Sequence, residues 1–167
     1  MELTYENVSA WFDEYFESVS RNIGPFETVA DLAKYFTDDL EFWMYTPPSF
    51  MTSPLNRAEF LLSLVHPGIH DEMTPRYYVL DLRQNVLVAQ VTVQFSDEIS
   101  GEELGGEIEA SAHYHFVLDE AGDLKINRIF YWTETPSPED IEALARRWEK
   151  SKQQALTGLA LDYLTGS

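Results

Sequence analysis

The chain has 167 residues, enough for one domain to bury its own core, and no cysteine, which excludes disulfides, thiolate catalysis and zinc–cysteine sites. Its 29 acidic and 11 basic residues give a formal charge of −18, a field that repels phosphate backbones and anionic lipid, so neither nucleic acid nor a membrane is an expected partner. No run approaches the roughly 18 apolar residues of a membrane span. The N-terminal stretch has no basic leader before an apolar segment, so a soluble cytoplasmic protein is expected.

In chain order, Thr4 to Val19 predicts a helix, with Val8, Trp11, Phe12, Tyr15, Phe16 and Val19 on one face and Thr4 as a cap. Gly24–Pro25 leads into a second helix reaching Phe36, with Phe26, Val29, Ala30 and Ala33 turned inward. Asp38–Asp39 break it, and Leu40 to Thr46 alternates as a strand that Pro47–Pro48 stops. Ser53 and Pro54 are expected to open a third helix, carrying Ala58, Phe60 and Leu64 inward and ending at His66–Pro67–Gly68. Ile69 to Pro75 reads as loop.

Two strands follow, Arg76 to Arg83 and Val86 to Ser96, and then an acidic hairpin loop from Asp97 to Gly106. Its carboxylates lack the order of a calcium loop and read as a solvated tip. The segment from Ala110 to Glu134 forms two long strands about a turn at Glu120–Ala121–Gly122–Asp123. In the first, Ala110, Ala112, Tyr114 and Phe116 share one face, and Ser111, His113, His115 and Val117 the other. In the second, Asn127, Ile129 and Tyr131 are expected to share the Tyr114 face. Small alanines leave room there while Tyr and Asn supply polar heads, the composition of a ligand cavity. Ser137–Pro138 caps a last helix that runs through Leu144, Trp148, Leu156, Leu159 and Ala160.

This order predicts an α+β fold, a curved antiparallel sheet wrapped around N-terminal helices with an extra C-terminal helix. Residues 1–135 would form the domain and 136–167 a helical extension. The run Tyr35–Phe36–Thr37–Asp38–Asp39–Leu40–Glu41–Phe42, the helix end from Phe60 to Gly68 and the Phe116 to Trp132 hairpin resemble the nuclear transport factor 2-like superfamily. That group includes SnoaL-type polyketide cyclases, ketosteroid isomerase and scytalone dehydratase. The resemblance covers about Thr4 to Thr135 and rests on signatures of fold, not of catalysis. It implies a cystatin-like cone whose concave side encloses a cavity and whose convex side commonly builds a dimer.

Registered against ketosteroid isomerase, Tyr114 falls where that family carries its oxyanion-hole aspartate and Tyr15 near its tyrosine donor. The family's general base falls near Met44, which cannot accept a proton, so that mechanism is not expected. A scytalone-dehydratase-like pairing of histidine with a carboxylate points to His66, His70 and Asp71. The candidate catalytic set is therefore Tyr15, Tyr114, His66, His70 and Asp71. Trp11, Phe16, Met44, Phe60, Ala112, Asn127 and Tyr131 are the candidate ligand-binding residues. His113 and His115 with Glu107 and Glu109 form at best a weak metal pattern, and neither a metal nor a cofactor is expected. Arg128 is placed on the outer face, paired with Glu134 or Glu109.

Two functions are compatible with these residues. One is a pocket for a small apolar oxygenated molecule, with cofactor-free dehydration, isomerisation or cyclisation if it is an enzyme. The other is a non-catalytic dimeric module whose cone is plugged by Trp11, Phe16, Phe60 and Tyr131. The outer-face aromatics Trp43, Tyr45, Phe130 and Trp132 need a cover. A second copy of the chain is the expected one, with the last helix joining that interface or closing the open end of the cone.

Overall fold

In the computed structural model, which describes residues 1–46 and 49–165 and the side chains of all but 49–50 and 158–165 among them, Thr4 opens the first helix, α1 (Tyr5–Asn22). Its hydroxyl accepts from the Asn7 N–H, one of the donors a helix start leaves orphaned. The apolar stripe of α1 is buried at Val8, Phe12, Tyr15, Phe16 and Val19, while Trp11 stays half-buried at its flank. The second helix is shorter than its pattern suggests. α2 (Phe26–Val29) passes at once into a 3-10 turn (Ala30–Tyr35), which leaves Phe26 and Ala30 exposed rather than inward.

Strand β1 (Phe36–Thr46) then starts four residues earlier than its alternation indicates and carries Asp38 and Asp39 on its exposed stretch. β2 (Ser49–Phe50) folds back onto it; the stop assigned to Pro47–Pro48 lies outside the described residues. α3 (Arg57–Ser63) is opened by Asn56, not Ser53. The Asn56 side chain accepts from the Glu59 N–H, and the Glu59 carboxylate accepts from the Asn56 N–H, a reciprocal box that Ser53 cannot build. Ala58 is exposed and Phe60 is buried.

β3 (Ile69–Asp81) replaces the loop expected at Ile69 to Pro75. It is an edge strand, so Pro75, which has no N–H to give, is tolerated at a bulge between Pro75 and Tyr77. β4 (Val86–Asp97), β5 (Ile108–Leu118) and β6 (Leu124–Thr133) continue the sheet, with Asn85 in the left-handed region at the β3–β4 turn. The sheet order is β2-β1-β6-β5-β4-β3. β3 to β6 form the expected meander, but β1 lies parallel to β6, so the sheet is mixed. The architecture is α+β, the curved sheet wrapping the N-terminal helices as a cone.

α1 fills the concavity. Its Phe12, Tyr15 and Phe16 rings sit 5.6–5.7 Å from the Tyr114 ring of β5, and Phe12 is also 5.8 Å from Phe116. Tilted and edge-on pairs of this kind each add about 0.5–1.5 kcal/mol beyond the area they bury. A second bulge shifts the register where Phe116 faces Ile126 and His115 faces Arg128, leaving Asn127 as the extra residue. Parity changes there: Leu124 and Ile126 point inward before it, Ile129 after it. Asn127 consequently leaves the Tyr114 face assigned to it. Arg128 pairs with Glu41 across the parallel strands at 2.9 Å, not with Glu134 or Glu109.

The last helix, α4 (Pro138–Thr165), begins at Ser137, whose hydroxyl accepts from the Asp140 N–H. It crosses the open end of the cone. Arg147 donates to the Asp97 carboxylate at 3.0 Å and to the Gly68 carbonyl at 2.7 Å, and Ser151 donates to the Pro67 carbonyl. Gly68 has φ +79°, and a Cβ there would stand 2.6 Å from an Arg147 nitrogen, so the close crossing requires glycine. Leu156 of this helix is exposed; the side chains of Leu159 and Ala160 lie outside those described.

Candidate functional site

Between α1, α3, the concave sheet and α4 lies a cavity of about 310 Å³. Most of its wall is apolar, from Val19 and Ile23 of α1, Phe60 and Leu64 of α3, and Phe42, Met44, Val93 and Ile129 of the sheet. Five polar side chains interrupt that wall with heads free to meet a ligand: Tyr15, His66, Asp71, Tyr114 and Tyr131. Ser63 is also there, but its hydroxyl is spent on the Phe60 carbonyl at 2.6 Å.

His66 is held by the stop of α3. The chain beyond Leu64 is stitched to Gly24, whose N–H donates to the Leu64 carbonyl and whose carbonyl accepts from the His66 N–H at 2.9 Å. This seats the imidazole at 1% exposure, between the ring of Trp148 at 4.5 Å and the Asp71 carboxyl. Its Nδ1 lies 3.2 Å from the Ile69 carbonyl. A carbonyl only accepts, so Nδ1 carries the hydrogen and Nε2 presents its lone pair. Burial lowers the His66 pKa, against the opposing pull of its backbone hydrogen bonds.

Asp71 comes from β3. Ile69, Asp71 and Met73 alternate inward while His70 and Glu72 face solvent, so the strand that replaces the expected loop also decides between the two neighbours. His70 is exposed and outside the cavity lining. Asp71 Oδ2 stands 3.8 Å from His66 Nε2, and Asp71 Oδ1 is buried with no hydrogen-bond partner. Burial pushes this carboxyl up to about 7. It is therefore poised near neutral pH, the condition in which a carboxyl can both take and return a proton.

Opposite this pair, the Tyr15 and Tyr114 rings pack edge-on at 5.6 Å, and burial raises both pKa values. Tyr131 is likewise raised by burial and by the neighbouring Tyr114 and Asp71. All three remain protonated donors across the ordinary pH range. The arrangement thus sets neutral donors against a proton acceptor in a largely apolar space. Such a space strengthens each electrostatic contact.

The structure brings Tyr15, Tyr114, His66 and Asp71 of the candidate catalytic set together. Of the candidate ligand-binding residues, Met44, Phe60 and Tyr131 line the cavity. Phe16 and Ala112 are buried in the core without reaching it, and Trp11 packs edge-on against Tyr35. Asn127 is removed by its bulge, its Oδ1 buried without a partner. The cone is not plugged by Trp11 and Phe16, and Phe60 and Tyr131 form its wall. Sequence reasoning missed Met73, Phe95 and above all Trp148, whose spacing with Leu144 marked an apolar helix face but not the surface it covers. On the convex face His113 packs tilted against Trp132 at 4.6 Å and His115 meets Phe130 edge-on. Glu109 is taken by Arg76 and Gln90. Among the described residues no group of three His, Asp or Glu side chains is placed to hold a metal ion.

Solved structures share this fold. AusH from Aspergillus nidulans superposes with a TM-score of 0.60 at 10% identity, over 82% of this chain and 90% of that one. ActVI-ORFA from Streptomyces coelicolor gives 0.57 at 15% identity, over 77% and 96%. The fold is theirs. BvnE pinacolase from Penicillium brevicompactum also shares it, with a TM-score of 0.55 at 12% identity over 84% and 92%. These neighbours are cone-fold proteins of the nuclear transport factor 2-like kind. No family model and no curated protein matches the sequence.

Proposed function

We propose that the protein binds a small apolar molecule carrying a carbonyl or hydroxyl group and catalyses a proton transfer on it without a cofactor, as a dehydratase, isomerase or cyclase. One observation carries this reading: the buried Asp71 carboxyl, with one oxygen unpartnered and the other facing His66 Nε2, in a cavity whose remaining polar heads are phenols. An orphaned acceptor of that kind costs about 1–3 kcal/mol, and a ligand proton would satisfy it. In the proposed step the Asp71 carboxylate takes a proton from the carbon beside the carbonyl, and the His66 Nε2 lone pair accepts from the carboxylic acid so formed. Tyr114, backed by Tyr15, donates to the oxygen on which charge develops. Returning the proton to another carbon completes an isomerisation; returning it to a β-hydroxyl, which leaves as water, completes a dehydration. A neighbour named a pinacolase lends the reading support at the level of fold.

The test is α-proton exchange of 2-octanone in D2O, followed by NMR. The wild-type protein is expected to accelerate exchange, and Asp71→Asn and Tyr114→Phe each to lower that acceleration by about 10²-fold or more. Exchange that is absent, or indifferent to both substitutions, would reject the reading.

The convex face, where Tyr45 stacks on Trp132 at 5.3 Å and Trp132 stays 38% exposed, is proposed to meet a second copy of the chain. α4 crosses the open end of the cone and does not compete for that face. A native mass equal to that of one chain would remove this part of the proposal.

A further inference from the structure

A second chamber, of about 380 Å³, lies outside the first and under α4. Its roof is Ile141, Leu144 and Ala145 of α4, and its floor includes Ile108 and Thr133 of the sheet. It is almost wholly apolar, because the hydroxyls of Thr46 and Thr133 bond to each other at 2.6 Å and present their methyls. Met44, Phe95, Tyr131 and Trp148 border both chambers, so the partition is one side chain thick.

An apolar groove this large, open to solvent, is unusual under a helix. Apolar surface left in contact with water on this scale marks a binding groove. α4 is nevertheless tied over the chamber by polar bonds at Arg147 and Ser151, and Ile141 keeps about half of its surface exposed instead of filling the space. An apolar guest that displaces water from such a groove gains the free energy of burying both surfaces. We infer that the two chambers are one binding site for an elongated, largely apolar molecule with a single oxygenated end, the end held at Tyr114 and Asp71 and the tail lying under α4. This inference rests on the functional reading for the position of the oxygenated end. Leu144 and Trp148 are then the residues that set the accepted length.

The probe is the methyl ketone series from 2-hexanone to 2-dodecanone, titrated calorimetrically into the full chain. Each methylene that enters the outer chamber is expected to raise affinity roughly fourfold. Leu144→Trp, which fills the chamber, should make the rise stop at a shorter ketone, and Leu144→Ala should extend it; 2-hexanone is the reference within each variant. Melting curves check that both variants fold, and the two opposite substitutions keep the test decisive if one does not. Equal slopes in the wild type and the variants, with Tyr114→Phe weakening every member, would overturn the outer chamber and leave the functional reading standing. A length dependence that shifts with Leu144 while Tyr114→Phe has no effect would do the reverse. No binding by any member would overturn both.

Discussion

Asp71→Asn should stabilise the unliganded protein at neutral pH and do little at pH 4. The folded carboxyl sits at about 7, raised from the 3.8 of a solvated aspartate by the same burial that leaves Oδ1 orphaned. Below about pH 4 the carboxyl is protonated in the folded and unfolded chains alike, and burial costs no charge. Between pH 4 and 7 the unfolded chain ionises while the folded one keeps its proton, so wild-type stability falls steadily relative to Asn. Above 7 the difference levels off. At about 1.36 kcal/mol for each pKa unit the full difference is on the order of 4 kcal/mol, or roughly 10 °C in melting temperature for a chain of this size. Asparagine is nearly isosteric and stays neutral, so the comparison removes the charge and little else. Urea unfolding of both proteins from pH 4 to 8 reads the difference directly. Parallel pH profiles would refute the argument, because they would mean that Asp71 is ionised and solvated in the folded protein. The expected cost also has a meaning: a carboxyl that weakens the fold while improving a site is the usual mark of function traded against stability.

Trp148→Ala removes the ring that lies tilted against His66 at 4.5 Å and edge-on to Phe95 at 5.3 Å. A loss of roughly 2–3 kcal/mol is expected, below the fully buried range because Trp148 is half-buried. Wetting of the imidazole should also raise the lowered His66 pKa toward 6.5; an NMR titration that shows no movement would contradict the shielding role. Arg147→Met keeps the stem but cuts α4 loose from Asp97 and the Gly68 carbonyl, and limited proteolysis should then cleave α4 faster than in the wild type. In the same variant Asp97, held at about 2 first by the Ser100 N–H and then by Arg147, should rise only part of the way to 3.8, since the Ser100 bond survives. A full return would mean that the arginine dominates.

What could be read from the residues alone was whatever is encoded locally. The stripe of α1, its Thr4 cap and the alternation of Ala110, Ala112, Tyr114 and Phe116 are properties of one segment, and each is present as expected. The errors occur where a distant partner decides. His70 and Asp71 look equivalent in a polar stretch after Pro67–Gly68; only pairing with β4, His70 opposite Ser96 and Asp71 opposite Phe95, makes the stretch a strand and turns one of them inward. Asn127 was misplaced because a bulge leaves no mark on an alternating pattern, and Asn56 was passed over because Ser53–Pro54 carries an equally good opening signal. Trp148 shows the same limit: a helical stripe announces that something is covered, not what.

The parallel contact of β1 with β6 also has a cost in time. Thr46 and Thr133 meet across 87 residues of chain, as do Glu41 and Arg128. At ordinary rates of synthesis, the first strand waits on the order of ten seconds for its central neighbour to leave the ribosome. Until then Phe36, Leu40 and Phe42, all buried in the finished protein, belong to a strand whose β6 edge is unpaired. Assembly of the cone is therefore governed by the last hairpin, and truncated or slowly made chains lacking β6 are the species of this protein most prone to aggregate.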